Sequence, residues 1–230
     1  MTVFLNGAES PAPVTRKVIE MLAPSPVRVE TELLMPSGSG FGASGAGALS
    51  SAYALNQAFG LGLTASGVGE AAHVAEVVCG TGLGDVIAQN SGGLVVRLSP
   101  GAPGLGAVDR IPVSPLKVDC IVRGPLSTEE VLSDPGTMRV VNREGERALK
   151  GLLKKPTLER FASLSWEFAR RSGLARGWMK DAVEAVEASG GMASMVMLGD
   201  AIFALNGAEA LAEFGEVISA RISLRGAGLE

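Results

Sequence analysis

Between Met35 and Ser51 the chain reads Met-Pro-Ser-Gly-Ser-Gly-Phe-Gly-Ala-Ser-Gly-Ala-Gly-Ala-Leu-Ser-Ser, a run of residues with little or no side chain. Alternating apolar residues from Val27 to Leu34 predict a strand before it. Small residues from Ala46 to Phe59 predict a helix after it. Strand, glycine loop and helix start together form an anion cradle. Residues without side chains let backbone N–H groups approach a phosphate, and the first N–H groups of a helix have no partner inside it. The loop lacks the lysine of a Walker A sequence and the distant acidic residue of the dinucleotide fingerprint. A tight turn before a close-packed helix is the plain alternative. The order Pro36, Gly40-x-Gly42, Ser44, then helix favours phosphate.

Composition closes off several classes. The 230 residues suffice for one large domain or two small ones, and 47% of them are hydrophobic, enough for a core. A formal net charge of −4 gives no support for nucleic-acid or anionic-membrane binding. No apolar run is long enough to span a bilayer, and no basic-then-apolar leader opens the sequence. Cys79 and Cys120 read as isolated, reduced core thiols of a cytoplasmic protein, and a single histidine argues against zinc chemistry.

Along the chain, Thr2 to Leu5 reads as a strand, Pro13 to Leu22 as a helix and Glu70 to Val78 as a second helix after a glycine-interrupted stretch. Asp85 to Gln89 is a short helix and Leu94 to Leu98 a strand; residues 100–112 read as a linker. Beyond it come a strand (Leu116 to Arg123), a short helix (Thr128 to Leu132) and helices over Glu144–Leu153, Thr157–Ser172 and Trp178–Ala188. A hairpin turning at Gly199-Asp200 and a closing strand (Phe214 to Leu224) follow. The mixed order predicts an α+β protein of two domains, residues 1–112 and 113–230.

The residues able to do chemistry cluster after the loop. His73 and Glu76, three apart on the second helix, share a face. Asp85 opens the next helix. One carboxylate beside a phosphate cradle can hold Mg²⁺, and a second can accept a proton from an attacking hydroxyl. Taken singly, each residue has an ordinary reading: a solvated glutamate, a helix cap, a packed histidine.

Together these features resemble the GHMP kinases, whose loop reads Pro-x-x-x-Gly-Leu-Gly-Ser-Ser-Ala-Ala. Pro36, Gly40, Phe41, Gly42, Ala43, Ser44, Gly45 and Ala46 occupy those positions, with Phe41, Ala43 and Gly45 as substitutions. Glu76 on the helix before a glycine loop, Asp85 after it and Gly92-Gly93 beyond fit the same layout. The blocks at 40–50, 71–77, 79–89, 92–97 and 197–200 are similar to those of the archaeal pantoate kinases within that family.

The resemblance implies a two-lobe fold, an S5-like N-terminal lobe and a ferredoxin-like C-terminal lobe. It implies ATP-dependent phosphorylation of pantoate on the route to coenzyme A, in the cytoplasm. ATP phosphates would lie on Gly38, Gly40, Gly42, Ala43, Ser44, Gly45 and Ala46; Ser44 and Glu76 would hold Mg²⁺; Asp85 would be the catalytic carboxylate. His73, Arg97 and Thr128 would contact pantoate, Arg97 offering its planar fork to the carboxylate. A homodimer is one assembly open to such a chain. The family carries a segment before the position of Thr2, so an N-terminal lobe with an exposed sheet edge is expected here. Other readings are a GHMP kinase for homoserine, shikimate or mevalonate, or a non-catalytic nucleotide-binding protein on a truncated scaffold. The late run Gly190-Gly191-Met192-Ala193-Ser194 matches the family's last glycine motif weakly and reads as structural.

Overall fold

A computed structural model describes residues 1–82, 84–125 and 133–229. The chain forms two compact units. The first comprises Met1–Ser37, Gly42–Pro112 and Ser223–Glu230, and the second Gly38–Phe41 and Val113–Ile222. The expected Thr128–Leu132 helix lies outside the described residues.

In the first unit, β1 (Thr2–Leu5) is the middle strand of three. It pairs antiparallel with β2 (Ala8–Glu9) and parallel with β3 (Arg28–Thr31), in register Val3 to Val29. Helix α1 (Pro13–Leu22) makes the crossover, with Pro13 at its first turn, where a missing N–H costs nothing. Its Val14, Val18 and Ile19 meet Val3 of β1, Ala48, Leu49, Ala52 and Leu55 of α2 (Ala43–Phe59), and Val68, Ala72 and Ala75 of α3 (Ala65–Cys79). Alanine and glycine dominate the facing surfaces, which lets the helices approach closely. A Cβ on Gly47 of α2 would stand 3.3 Å from Thr15 of α1. After α4 (Asp85–Ser91), β4 (Leu94–Arg97) pairs antiparallel with β5 (Val108–Ile111), burying Leu94 and Val96 and leaving Arg97 on the other face.

Several boundaries differ from the sequence reading. Helix α3 starts at Ala65, not Glu70, because Thr64 caps it by accepting the Gly67 N–H at 3.2 Å. Its glycines serve packing rather than a loop: a Cβ on Gly69 would meet the Pro103 ring at 2.6 Å. The expected linker over 100–112 contains β5. Helix α2 begins at Ala43 rather than Ala46.

The second unit follows the order β6 (Lys117–Pro125), α5 (Pro135–Leu153), α6 (Leu158–Arg171), α7 (Gly177–Ala188), β7 (Met192–Met195), β8 (Gly199–Leu205), α8 (Ala208–Ala212) and β9 (Ile218–Arg221). Its sheet runs β7-β8-β6-β9, all neighbours antiparallel, the split βαβ arrangement of a ferredoxin-like lobe. Ile121, Ala193, Met195, Ile202 and Ala204 from the sheet pack with Trp166 and Ala169 of α6 and Met179, Ala182, Val183 and Val186 of α7. Helix α5 begins nine residues before the expected Glu144. Asp134 caps it through the N–H groups of Gly136 and Thr137, at 3.2 and 2.7 Å, and Pro135 takes the first position. Glu144 on α5 is buried and joined to α6 by a ladder of ion pairs. Arg143 reaches it at 2.9 Å, while Arg147 spans Glu144 at 3.9 Å and Glu167 at 3.6 Å. The expected strand over Phe214–Leu224 is confined to β9, with α8 before it.

The block at 197–200 is explained inside this unit. Leu198 turns at φ 58°, and a Cβ on Gly199 would run into the carbonyl of Ser39. The Gly38–Phe41 segment therefore lies directly against the β7–β8 turn. Asp200 accepts the indole N–H of Trp178 at 2.8 Å, tying α7 to the same turn. Gly199→Ala is expected to lower stability by about 1–3 kcal/mol through overpacking against backbone. It should also speed amide exchange around residues 38–41. Thermal melting with hydrogen exchange by mass spectrometry tests this, and a mutant as stable and as protected as the parent refutes the contact.

Candidate functional site

Helices α2, α3 and α4 of the first unit bring Ser44, Glu76 and Asp85 together, and β4 adds Arg97. Glu76 lies three residues before the end of α3 and is 1% exposed. Its Oε1 accepts the Ser44 hydroxyl at 2.6 Å and the Thr81 hydroxyl at 3.1 Å. Gly80 ends the helix in the left-handed region at φ 66°, which turns the chain back over the helix end. Gly82 then crosses the carboxylate so closely that a Cβ would stand 2.8 Å from Glu76 Cδ. A side chain there would have to displace the Glu76 carboxylate.

Ser44 sits in the first turn of α2. Gly42 caps that helix at φ 65°, and the Ala46 N–H is the first to bond back, to the Gly42 carbonyl at 2.9 Å. A Cβ on Gly42 would stand 2.9 Å from Cβ and Cγ of Asp85. The start of α2 and the start of α4 are thus in direct contact, with Asp85 against Gly42, the residue that caps α2.

Asp85 has an unusual acidity. Burial, then the nearby negative charge of Glu76, raise its pKa from 3.8 to about 6, against an opposing pull from Arg97. Arg97 reaches across from the end of β4. Its Nη2 donates to the Gly101 carbonyl at 3.2 Å, and Nη1 lies 3.1 Å from where a Gly84 Cβ would be. Burial pulls its pKa down and Asp85 pushes it up; a guanidinium stays charged throughout. His73, half-buried on α3, has its pKa lowered by burial and then by the Arg97 charge, which favours the neutral imidazole.

Of the residues expected from sequence, Gly42, Ala43, Ser44, Gly45, Ala46, Glu76, Asp85, Arg97 and His73 lie in this one unit. Gly38 and Gly40 lie in the other, where packing accounts for their missing side chains. A Cβ on Gly38 would stand 3.0 Å from Pro125, and one on Gly40 2.8 Å from the Gly199 nitrogen. Thr128 is outside the described residues. Two participants were not anticipated. Thr81 carries a weak signal, a hydroxyl directly after a glycine helix stop. Gln89 carries a better one, standing one turn beyond Asp85 and so on its face.

The GHMP kinases N terminal domain family model matches residues 12–93. The pantoate kinase of Methanocaldococcus jannaschii is 36% identical over 220 residues, 91% of this chain and 77% of that protein. The chain belongs to the pantoate kinase family. The pantoate kinase of Thermococcus kodakarensis is 41% identical over 199 residues, and that alignment spans 84% of this chain but only 65% of the relative's length. A solved structure titled as a phosphotransferase related to the CoA biosynthesis pathway superposes with a TM-score of 0.83 at 33% identity. It covers 99% of this chain and 79% of its own. The fold is therefore of the GHMP kinase type, α+β as expected. Among the described residues no helix is long and apolar enough to cross a membrane.

The Asp85 shift makes a stability prediction. Between pH 3.8 and about 6 the folded protein holds a proton that the unfolded chain has released. Stability therefore falls as pH rises through this window and stays lowered above it. Asp85→Asn removes the penalty, so the variant should be more stable at pH 7.5 by on the order of 2 kcal/mol. That advantage should shrink toward zero near pH 4. Urea denaturation at the two pH values measures it; an advantage equal at both would contradict the assigned acidity.

Proposed function

We propose that this protein transfers the γ-phosphoryl group of ATP to the 4-hydroxyl of pantoate, releasing ADP and 4-phosphopantoate. The observation that carries the reading is the meeting of three groups at the start of α2: Glu76 accepts the Ser44 hydroxyl at 2.6 Å, and a Cβ on Gly42 would stand 2.9 Å from Asp85, which feels the charges of both Glu76 and Arg97. The names of the relatives supply the substrate class.

Each group has a role that its chemistry suits. The first-turn amides of α2, at Ala43, Ser44 and Gly45, take phosphate oxygens at the positive end of the helix. Arg97 pairs with the pantoate carboxylate, with neutral His73 alongside as a hydrogen-bonding group. Asp85 accepts the proton of the attacking hydroxyl as the new O–P bond forms and the bond to the ADP oxygen breaks. A pKa of about 6 leaves it deprotonated at neutral pH while keeping it more basic than an ordinary carboxylate.

Mg²⁺ suits the same place. Glu76 is buried, its hydrogen bonds come from two hydroxyls, and among the described residues no Lys, Arg or His forms an ion pair with it. A buried carboxylate without a cation is costly, and carboxylate plus hydroxyl oxygens are the hard donors that Mg²⁺ takes. Ser44 and Glu76 would hold it, with Thr81 behind, and it would neutralise charge on the ATP phosphates.

The test is ADP release with pantoate, homoserine, shikimate and mevalonate in turn. Pantoate should be preferred, and preference for another of the four would replace the substrate. Asp85→Asn should remain folded and lose most of its turnover. Arg97→Ala should raise the Michaelis constant for pantoate far more than that for ATP, and Arg97→Lys should recover only part, since an ammonium cannot form the bidentate fork. An Asp85→Asn enzyme with near-normal turnover would remove the base. Glu76→Gln should weaken binding of a non-hydrolysable ATP analogue in the presence of Mg²⁺ and little in its absence, as read by calorimetry.

A further inference from the structure

Gln89 stands one helical turn after Asp85 on α4, so the two side chains leave the same face. Both meet Gly42, the residue that caps α2. The Gln89 amide nitrogen donates to the Gly42 carbonyl at 3.0 Å, and a Cβ on Gly42 would meet that same nitrogen at 2.7 Å and Asp85 at 2.9 Å. The partner is a carbonyl, which fixes the donor end of the amide toward it. The other end, Oε1, is buried, has no hydrogen-bond partner among the described residues, and faces Gly45 at 3.4 Å from where its Cβ would be. A glutamine that leaves its own acceptor unsatisfied in order to hold one carbonyl is under a specific demand, because an unmade buried hydrogen bond is costly.

We infer that Gln89 is a positioning residue, clamping the helix that carries Asp85 to the first turn of the helix that offers its amides to phosphate. The inference rests on the phosphoryl-transfer reading. Two groups must keep a fixed separation for in-line transfer, the base at the attacking hydroxyl and the amides at the transferred phosphoryl. They sit on different helices, α4 and α2, and α4 is only seven residues long. A helix of two turns has little rigidity of its own. The Gln89–Gly42 hydrogen bond supplies a direct link at the helix junction, and Gly42 gives the clearance that allows it. The carbonyl it holds also accepts the first backbone bond of α2, from the Ala46 N–H at 2.9 Å. The clamp therefore acts on the residue that sets the direction of the first-turn amides.

Gln89→Met keeps length and stem but has no donor. Its expected effect is a fall in kcat of about tenfold, the factor carried by one ordinary hydrogen bond. The Michaelis constant for pantoate should not change, because Arg97 is untouched. Hydrogen exchange in residues 42–47 should quicken while peptides from the second unit stay as in the parent. Gln89→Glu, of the same shape but presenting an acceptor to the carbonyl, should reproduce the loss, and it serves as the second variant should the first fail to fold. A kcat within twofold of the parent, or normal protection over 42–47 in either folded variant, overturns the clamp. So does a uniform loss of protection with kcat unchanged, which is the signature of packing alone. Should the parent protein fail to turn over pantoate, the proposed function falls, and exchange over 42–47 still decides whether Gln89 holds the helix junction.

Discussion

The Glu76 carboxylate, 1% exposed and bonded to the hydroxyls of Ser44 and Thr81, organises the first unit around itself. Burying a carboxylate without a cationic partner is unfavourable, and two hydroxyl donors offset only part of that cost. What the arrangement gains is position. The Ser44 bond ties α3 to the first turn of α2, and the Thr81 bond folds the chain back over the end of α3. The negative charge of Glu76 then acts on Asp85. Together with burial it moves that carboxyl to about 6, where it is suited to take a proton near neutral pH. One buried charge thus serves the helix packing, the loop path and the acidity of a neighbour.

The glycines of this chain are best understood by what occupies the space their side chains would fill. At Gly82 it is the Glu76 carboxylate, at Gly42 it is Asp85 and Gln89, and at Gly199 it is the Ser39 backbone. These contacts lie far apart in sequence. A glycine-rich stretch that looks permissive is, in the fold, a set of close approaches, each of which an added side chain would disturb. The α1–α2–α3 packing uses the same device with alanine, which is why a core with few large side chains still closes.

The regular elements were legible wherever a local signal existed. Helix α1 was read with its observed limits because a proline start and an apolar stripe define it without reference to anything else. In the second unit the first strand, the long helices and the hairpin were legible in the sequence, whereas α8 was not, and the ferredoxin-like arrangement came from the family resemblance. The starts of α3 and α5 do carry local signals, Thr64 and Asp134-Pro135, ordinary capping sequences. Strand β5 had almost no local signal. It is four residues among glycines and prolines and exists because β4 offers it a partner.

By itself, the sequence determined the chemistry that this protein can draw on. It specified a phosphate-suited glycine loop, two carboxylates, one guanidinium at a strand end, and their resemblance to a kinase family, since residue type and spacing are local properties. The tertiary structure decided which of them meet and in what state. The α2–α3–α4 packing buries Glu76 beside Asp85, raises the pKa of Asp85 through burial and then through the Glu76 charge, and hangs Arg97 over the same place. It also sets Gly38 and Gly40 in close contact with residues of the second unit, and brings in Thr81 and Gln89. Desolvation and charge–charge coupling depend on distances between residues remote in sequence, and only the folded chain sets those distances.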